Sequence, residues 1–381
     1  MERCNAFGRC GGCSLQGVEY EEQLKRKQAA METLLGGFGR VEPIIGIKDP
    51  LHYRNKVQHS FANDQKVRIL SGSYEENTHK VVMADNCLLE DQKSRQIMAT
   101  IRKLIPSFKI PLYNEDTGTG LLRHVLIRRG FTSGEILVVL VTGRGVFPGR
   151  SNFVTALRAE HPEITTVVQN INDKRSSMVL GERSIPLYGP GFIKDTLCGC
   201  TFRISPDSFY QVNPVQTETL YGKAVEYAGL TGKETVIDAY CGIGTIGLVA
   251  SKHAGRVIGV ELNPNAVRDA IANCKANRIS NARFYQGDAG AFLRAMADRK
   301  EHADVILMDP PRSGSTREFL DSCVKLGPKR IVYVSCGPDT LARDLAYITK
   351  KGYAAEKLQP VDMFPFTEHV ETVVLMSSVK E

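Results

Sequence analysis

The chain of 381 residues is long enough for two or three domains at about 150 residues each, and its 42% hydrophobic content supports a real core. No apolar run approaches the roughly 18 residues a membrane helix needs, and the opening MERCNAFGRCGGCSLQ lacks a signal peptide's apolar stretch, so a cytoplasmic protein without membrane partners is expected. The +7 charge, its surplus almost wholly before Asn213, suits a surface that meets a polyanion, and ten cysteines in such a compartment argue against a disulfide scaffold.

Residues 1–17 form a loop rich in cysteine and glycine. Tyr20, Leu24, Met31, Leu34 and Leu35 then recur near a helical period across 18–36, and Gly36-Gly37 end that helix. Its Lys25-Arg26-Lys27 run reads as a solvated face. From about 50 to 205 the chain is made of short β-branched segments bounded by Gly, Asn or Asp: VQHSFAN, HKVVMAD, HVLIRRG, GEILVVLVTG and ITTVVQNIN. Only 94–106 and 150–160 read as helices, so an antiparallel β-rich central domain is expected. Within it, Tyr53-Arg54-Asn55-Lys56 and Arg123-His124 read either as exposed strand charges or as phosphate contacts.

After Asn213 the texture changes. TVIDAY, RVIGVEL, ARFYQGD, ADVILMD, KRIVYVSC and ETVVLMSS are apolar strands, most of them followed by a helical stretch, as in a doubly wound α/β sheet. The expected division is a cysteine-rich loop and helix over 1–49, the central domain over 50–205, and a Rossmann-like α/β domain over 206–381.

Strand TVIDAY runs into CGIGTIG, a glycine turn that opens a helix. Gly242 and Gly244 let the backbone approach a ligand, and Glu261 ends the next strand, where a carboxylate accepts hydrogen bonds from ribose hydroxyls. The turn lacks the third glycine of GxGxxG and has no Walker lysine, which counts against NAD and ATP. Asp288 ends the third strand, within reach of an adenine amino group, and Asp309 ends the fourth in DPPR. This order of acids suits S-adenosylmethionine.

Cys336 closes strand KRIVYVSC just before a helix that starts near Pro338. A thiol there feels the positive end of the helix dipole, which predicts a lowered pKa; the alternative is a buried, inert cysteine. The pairing has a chemical use. C5 of a pyrimidine is too weak a nucleophile to take a methyl group from a sulfonium unless a thiolate first adds to C6, and a base must then remove the C5 proton. Near the C-terminus, MFPFTEHVETVVL offers Glu368, His369 and Glu371; Glu371, at the mouth of the last strand, is the candidate base.

With these residues assembled, the chain resembles the bacterial uracil-5 RNA methyltransferase family, which forms 5-methyluridine in 23S rRNA and tRNA. SFYQVNP (208–214), DAYCGIGT (238–245), DPPR (309–312), SCGPDTLARD (335–344) and FPFTEHVET (364–372) follow its motifs in order. The resemblance implies Cys336 as nucleophile and Glu371 as general base. It implies Gln211, Tyr240, Glu261, Asp288 and Asp309 as the S-adenosylmethionine site, with Thr245 nearby and Phe209 against a flipped uracil. Many members begin with a small β-barrel RNA-binding domain, whereas this sequence opens at the cysteines, like the short branch. A monomer acting on RNA, 23S rRNA first and tRNA second, is expected.

Cys4, Cys10 and Cys13 have the spacing C-x5-C-x2-C, and Cys87 stands alone in ADNCLLED. Together they can enclose one metal centre. The resemblance implies a 4Fe-4S cluster, and a four-cysteine zinc site is the competitor on spacing. Cys198, Cys200, Cys241, Cys274 and Cys323 read as small core or surface residues. Two other classes stay open: an adenine amino-methyltransferase with DPPR in place of an N-P-P-aromatic loop, and a non-catalytic iron–sulfur RNA-binding protein.

Overall fold

The computed structural model describes residues 4–64, 68–174 and 178–379. They fall into two compact units, one of 4–17, 49–196 and 203–207, the other of 18–48, 197–202 and 208–379. The expected segment 1–49 is therefore divided. Its cysteine loop belongs to the first unit, whereas helix α1 (Tyr20–Leu35) and strand β1 (Arg40–Val41) belong to the second. The reason is burial: Met31 and Leu35 of α1 enter the core of the α/β sheet.

The first unit holds β2 (Lys56–Asn63), β3 (Ile69–Tyr74), β4 (Val81–Met83), helix α2 (Gln92–Ser107), β5 (Leu122–Arg129), β6 (Ile136–Thr142), helix α3 (Arg150–Glu160), β7 (Ile164–Ile171) and β8 (Arg183–Tyr188). Its strands lie in the order β4-β3-β2-β5-β6-β7-β8. Neighbours are antiparallel except β6 and β7, which are parallel. Parallel neighbours need a crossover, and α3 provides it. Asp91 caps α2, its carboxylate accepting from the Ser94 N–H at 2.8 Å. Ile97, Ile101 and Ile105 of α2 and Phe153 and Leu157 of α3 pack with Val125, Ile127, Val138 and Leu140 of the sheet.

Strands β9 (Ile193–Leu197) and β10 (Cys200–Ile204) come next in the chain, followed by α4 (Pro214–Ala228), β11 (Thr235–Ala239), α5 (Thr245–Ala250), β12 (Arg256–Glu261), α6 (Pro264–Ala276) and β13 (Ala282–Gln286). The chain ends with α7 (Ala289–Asp298), β14 (Val305–Met308), α8 (Arg317–Leu326), β15 (Arg330–Ser335), α9 (Pro338–Ile348), β16 (Tyr353–Val361) and β17 (Glu371–Ser378). The sheet of the second unit runs β1-β16-β17-β15-β14-β11-β12-β13. Only β17 is antiparallel to its neighbours, inserted between β15 and β16. β11 lies between β12 and β14, so the chain winds outward on both sides of it and leaves a crevice at the carboxyl ends of these strands. Among the described residues, no helix is long and apolar enough to cross a membrane.

Candidate active site

The crevice is edged by the ends of five strands of the second unit. β11 delivers Asp238, whose fully buried carboxylate accepts from the Gly247 N–H at 2.8 Å. A Cβ at Gly247 would stand 2.6 Å from that oxygen, so only glycine lets helix α5 come this close. Tyr240, in a left-handed turn with φ of 62°, then redirects the chain, and Gly244 with φ of 83° opens α5. β12 ends on Glu261, whose carboxylate accepts from the N–H groups of Gly242 (3.1 Å) and Asn263 (2.8 Å). The glycine turn and Glu261 are thus one rigid corner, with lone pairs left for a diol.

The other expected ligand residues lie near this corner or beside its strands. Asp288 follows β13 and is exposed; one of its oxygens caps α7 through the Ala291 N–H at 2.8 Å, leaving the second free. Gln211 is buried and hydrogen-bonds the Tyr221 phenol, which lies 3.2 Å from Thr245 Oγ1. The Tyr240 ring packs tilted on Phe319 with centroids 5.1 Å apart. Phe209 is 70% exposed, a large aromatic surface left open.

On the other side of β11, β14 ends at Met308, just before Asp309, and β15 ends at Ser335. Ser335 pairs with Thr372 across β15 and β17, so the next step of the same antiparallel register sets Cys336 level with Glu371. Directly opposed residues of such strands have Cβ atoms roughly 4.5–5.5 Å apart. Glu371 is 3% exposed. Burial first, then the charge of Asp309, pushes its carboxyl up to about 8, against the opposing pull of Arg312. Asp309 itself is pushed by burial to about 7.

Cys336 corrects the sequence reading. Its thiol is raised to about 11, by burial first and then by Glu371 and Asp309, with Arg312 pulling the other way. The helix dipole that predicts a lowered value is outweighed by burial first, and then by two carboxylates that only the fold brings near. Arg312 is the cationic group facing both the thiol and the carboxyl, and α9 holds its loop. Thr340 Oγ1 donates to the Arg312 carbonyl (3.2 Å), Arg343 to those of Ser313 (2.9 Å) and Ser315 (3.0 Å), and Asp344 accepts from the Ser315 N–H (2.7 Å). Asp344, missed in the sequence, lies inside SCGPDTLARD, where an acid in a helix interior was the available signal.

The segment before Glu371 is held equally firmly. Lys27 of α1 donates to Asp362 (2.6 Å) and to the Phe364 carbonyl (3.1 Å), and the Tyr20 hydroxyl donates to the other Asp362 oxygen (2.8 Å). Gln23 accepts from the Phe366 N–H at 2.8 Å. Lys27 is thus buried, correcting the solvated face expected for Lys25-Arg26-Lys27, of which only Lys25 and Arg26 are exposed.

The tRNA (uracil-5-)-methyltransferase family matches residues 192–379. An RNA methyltransferase of Clostridium acetobutylicum is 42% identical over 99% of this chain and 83% of its own length. One from Bacillus cereus is 39% identical over 99% and 83%. The chain belongs to the uracil-5 RNA methyltransferase family. The crystal structure of Pyrococcus abyssi tRNA (uracil-54, C5)-methyltransferase, in complex with S-adenosyl-L-homocysteine, is 28% identical to this family member, with a TM-score of 0.79 over 97% of this chain and 86% of that one. The protein is accordingly an S-adenosylmethionine-dependent RNA methyltransferase with the fold expected.

In the first unit of this methyltransferase, Cys4, Cys10, Cys13 and Cys87 are all half-buried. Cys13 is raised to about 11, mainly by burial, with Arg54 lowering it and Cys10 and Cys4 raising it further. Cys87 is raised to about 12 by burial, then Glu90, with a smaller push from Cys4. The four thiols therefore share one electrostatic neighbourhood. Among the described residues, however, no three His, Cys, Asp or Glu side chains are gathered as the shell of a single metal ion.

Arg123 and His124 are corrected as phosphate contacts. Arg123 is 2% exposed and spends its guanidinium on Glu115 (2.9 and 2.6 Å) and the carbonyls of Asn172 and Lys174. His124 is buried against Ser60, Nδ1 to Oγ 3.0 Å. Tyr53 and Asn55 are buried too, so the run 53–56 is not an exposed strand face. Cys200, Cys241, Cys274 and Cys323 are buried as small core residues, and Cys198 is half-buried.

Proposed function

We propose that this protein forms 5-methyluridine in RNA through a covalent adduct between Cys336 and C6 of uracil. The observation that carries the reading is the register that sets Cys336 level with Glu371, beside Asp309 and Arg312. Bound S-adenosylmethionine supplies an electrophilic methyl group. Gln211, Tyr240, Glu261, Asp288 and Asp309 are the residues that hold it, with the Gly242–Glu261 corner fitted to a ribose diol. Phe209 stacks on the flipped base.

The chain's own part is proton and electron bookkeeping at two atoms. The half-buried thiol of Cys336 gives its proton to solvent, an event that the cationic Arg312 favours. The sulfur bonds to C6, and the ring electrons collect at C5, which takes the methyl group. Glu371 in its carboxylate form then removes the C5 proton, the C5–C6 double bond re-forms, and the thiolate leaves. A carboxyl raised by burial is a stronger base than one in water, which suits removal of a carbon-bound proton.

The substrate we propose is 23S rRNA. The second reading is tRNA, favoured by the family that matches residues 192–379 and by the Pyrococcus abyssi enzyme. Mapping 5-methyluridine in both RNAs from cells with and without the protein separates them. A lost signal in 23S rRNA supports the first reading, and one lost only in tRNA replaces it.

We further propose that Cys4, Cys10, Cys13 and Cys87 carry a 4Fe-4S cluster. What supports the reading is the C-x5-C-x2-C spacing and the mutual electrostatic influence of the four thiols, and a cube of four irons spreads its thiolates to its corners, farther apart than the ligands of one ion. Anaerobically purified protein should be brown with iron and acid-labile sulfide. Colourless protein with one zinc per chain refutes the cluster.

A further inference from the structure

A cavity lies within the first unit, on the polar flank of α2. It measures about 460 Å³ and is bordered by His59, Asp85, Gln92, Arg95, Gln96 and Arg102, among others. Four of these, Gln92, Arg95, Gln96 and Arg102, project from α2, with Arg95 and Gln96 three and four residues after Gln92 and Arg102 seven after Arg95, on the polar side of a helix whose Ile97, Ile101 and Ile105 are in the core.

Both arginines are anchored on one residue. Arg102 donates to the Asp85 carboxylate (2.6 and 3.2 Å) and to Ser71 Oγ (3.1 Å), while Arg95 donates to the Asp85 backbone carbonyl (3.2 Å). A guanidinium has five N–H donors, so each keeps several for a ligand. Arg95 Nε is buried and has no hydrogen-bond partner among the described residues. The same is true of Nδ1 of His59, a side chain 2% exposed whose Nε2 is engaged by Glu90 at 3.1 Å. Two guanidinium groups, the Asp85 carboxylate and the His59–Glu90 pair thus meet around the recess. The recess is preformed and is flanked by the exposed amides of Gln92 and Gln96.

We infer that this recess is a phosphodiester subsite for the RNA backbone, holding one nucleotide linkage through Arg95, Arg102 and the α2 glutamines. The donors match: phosphodiester oxygens accept from guanidinium N–H groups such as the unpartnered Arg95 Nε, and guanidinium groups fixed in place lose little freedom on binding. The inference rests on the reading of the substrate as RNA and adds where the strand is gripped outside the α/β unit.

The test is binding of a labelled, mixed-sequence single-stranded RNA to the full chain, without S-adenosylmethionine, over a series of salt concentrations. Arg95→Gln should weaken binding several-fold and flatten the slope of log K against log salt by about 0.7, the loss of one single-strand phosphate contact. Gln96→Glu, an exposed change that leaves Asp85 and Arg102 untouched, should weaken binding as well. Unchanged affinity and slope in both variants would overturn the subsite. So would thermal stabilisation by inorganic phosphate that Arg95→Gln abolishes while RNA affinity stays put, because the recess would then be a small-anion site. A failure of the methyltransferase reading shows instead as wild-type protein that forms no 5-methyluridine, an outcome independent of these binding curves.

Discussion

Cys336 directly follows Ser335, the last residue of β15, and Glu371 directly precedes Thr372, the residue with which Ser335 pairs on β17, so the two lie side by side where that pairing ends. The antiparallel insertion of β17 between β15 and β16 produces this juxtaposition. A parallel strand in that place would present its carboxyl end at the crevice, whereas β17 brings its first residue there.

The arrangement predicts a stalled intermediate. With Glu371→Gln, addition of sulfur to C6 and methylation of C5 proceed, but the C5 proton has no acceptor, so elimination stops. A protein–RNA adduct that survives denaturing electrophoresis is expected, with turnover reduced by roughly 10²–10⁴-fold, the usual weight of a general base. Cys336→Ala should give neither adduct nor product. Absence of any adduct in Glu371→Gln, with wild-type protein active on the same RNA, removes Glu371 from the role of base.

Activity should rise with pH. In the proposed mechanism Glu371 works as a carboxylate; its carboxyl is raised to about 8, mainly by burial, and the Cys336 thiol to about 11. Both groups gain their working form as pH increases, so single-turnover methylation at saturating RNA should climb between pH 7 and 9. A rate that is flat or falling over that interval contradicts these protonation states.

The parallel strands of the catalytic unit were legible because each is an apolar run ended by a chemistry-bearing residue: Asp238, Glu261, Asp309, Cys336. β16 was not, since YAAEKLQPV mixes charges and a proline into its run, and β1 is too short to show. Lys27 was misread for a related reason. A lysine in a KRK run on a helix looks solvated, and the partner that buries it is 335 positions away. The thiol of Cys336 differs from its expected value for the same kind of reason: the local dipole is visible in the sequence, whereas its burial and the neighbouring carboxylates of Glu371 and Asp309 are not.

Three buried carboxyls make the fold sensitive to alkali. Asp238 and Asp309 are raised to about 7 and Glu371 to about 8, burial being the main cause in each. In the unfolded chain they titrate near 4, so between about pH 4 and 8 the folded state holds protons that the unfolded state has lost. Their contribution is complete below about 4 and is lost as pH rises through 7 and 8. Chemical denaturation should therefore give a lower unfolding free energy at pH 9 than at pH 6. Glu371→Gln, neutral at every pH, should shrink that difference; a difference equal to wild type's rules out a raised Glu371.

The buried pair of Lys27 and Asp362 ties α1 to the segment that leads into Glu371. Lys27 is 3% exposed and Asp362 0%, with Nζ and Oδ1 at 2.6 Å. Removing one member leaves the other as an uncompensated charge in the interior, so Lys27→Met should cost about 3–5 kcal/mol of unfolding free energy. The double variant Lys27→Met, Asp362→Asn carries no stranded charge, and its amide can still accept from the Tyr20 hydroxyl, so it should recover a substantial part of the loss. Urea titrations of the wild type, both single variants and the double variant close the cycle. Strictly additive losses would mean that the two groups act independently and that the pair does not hold the segment. If it does hold it, Lys27→Met should also slow adduct resolution more than it weakens RNA binding, because the group displaced is the one that takes the C5 proton.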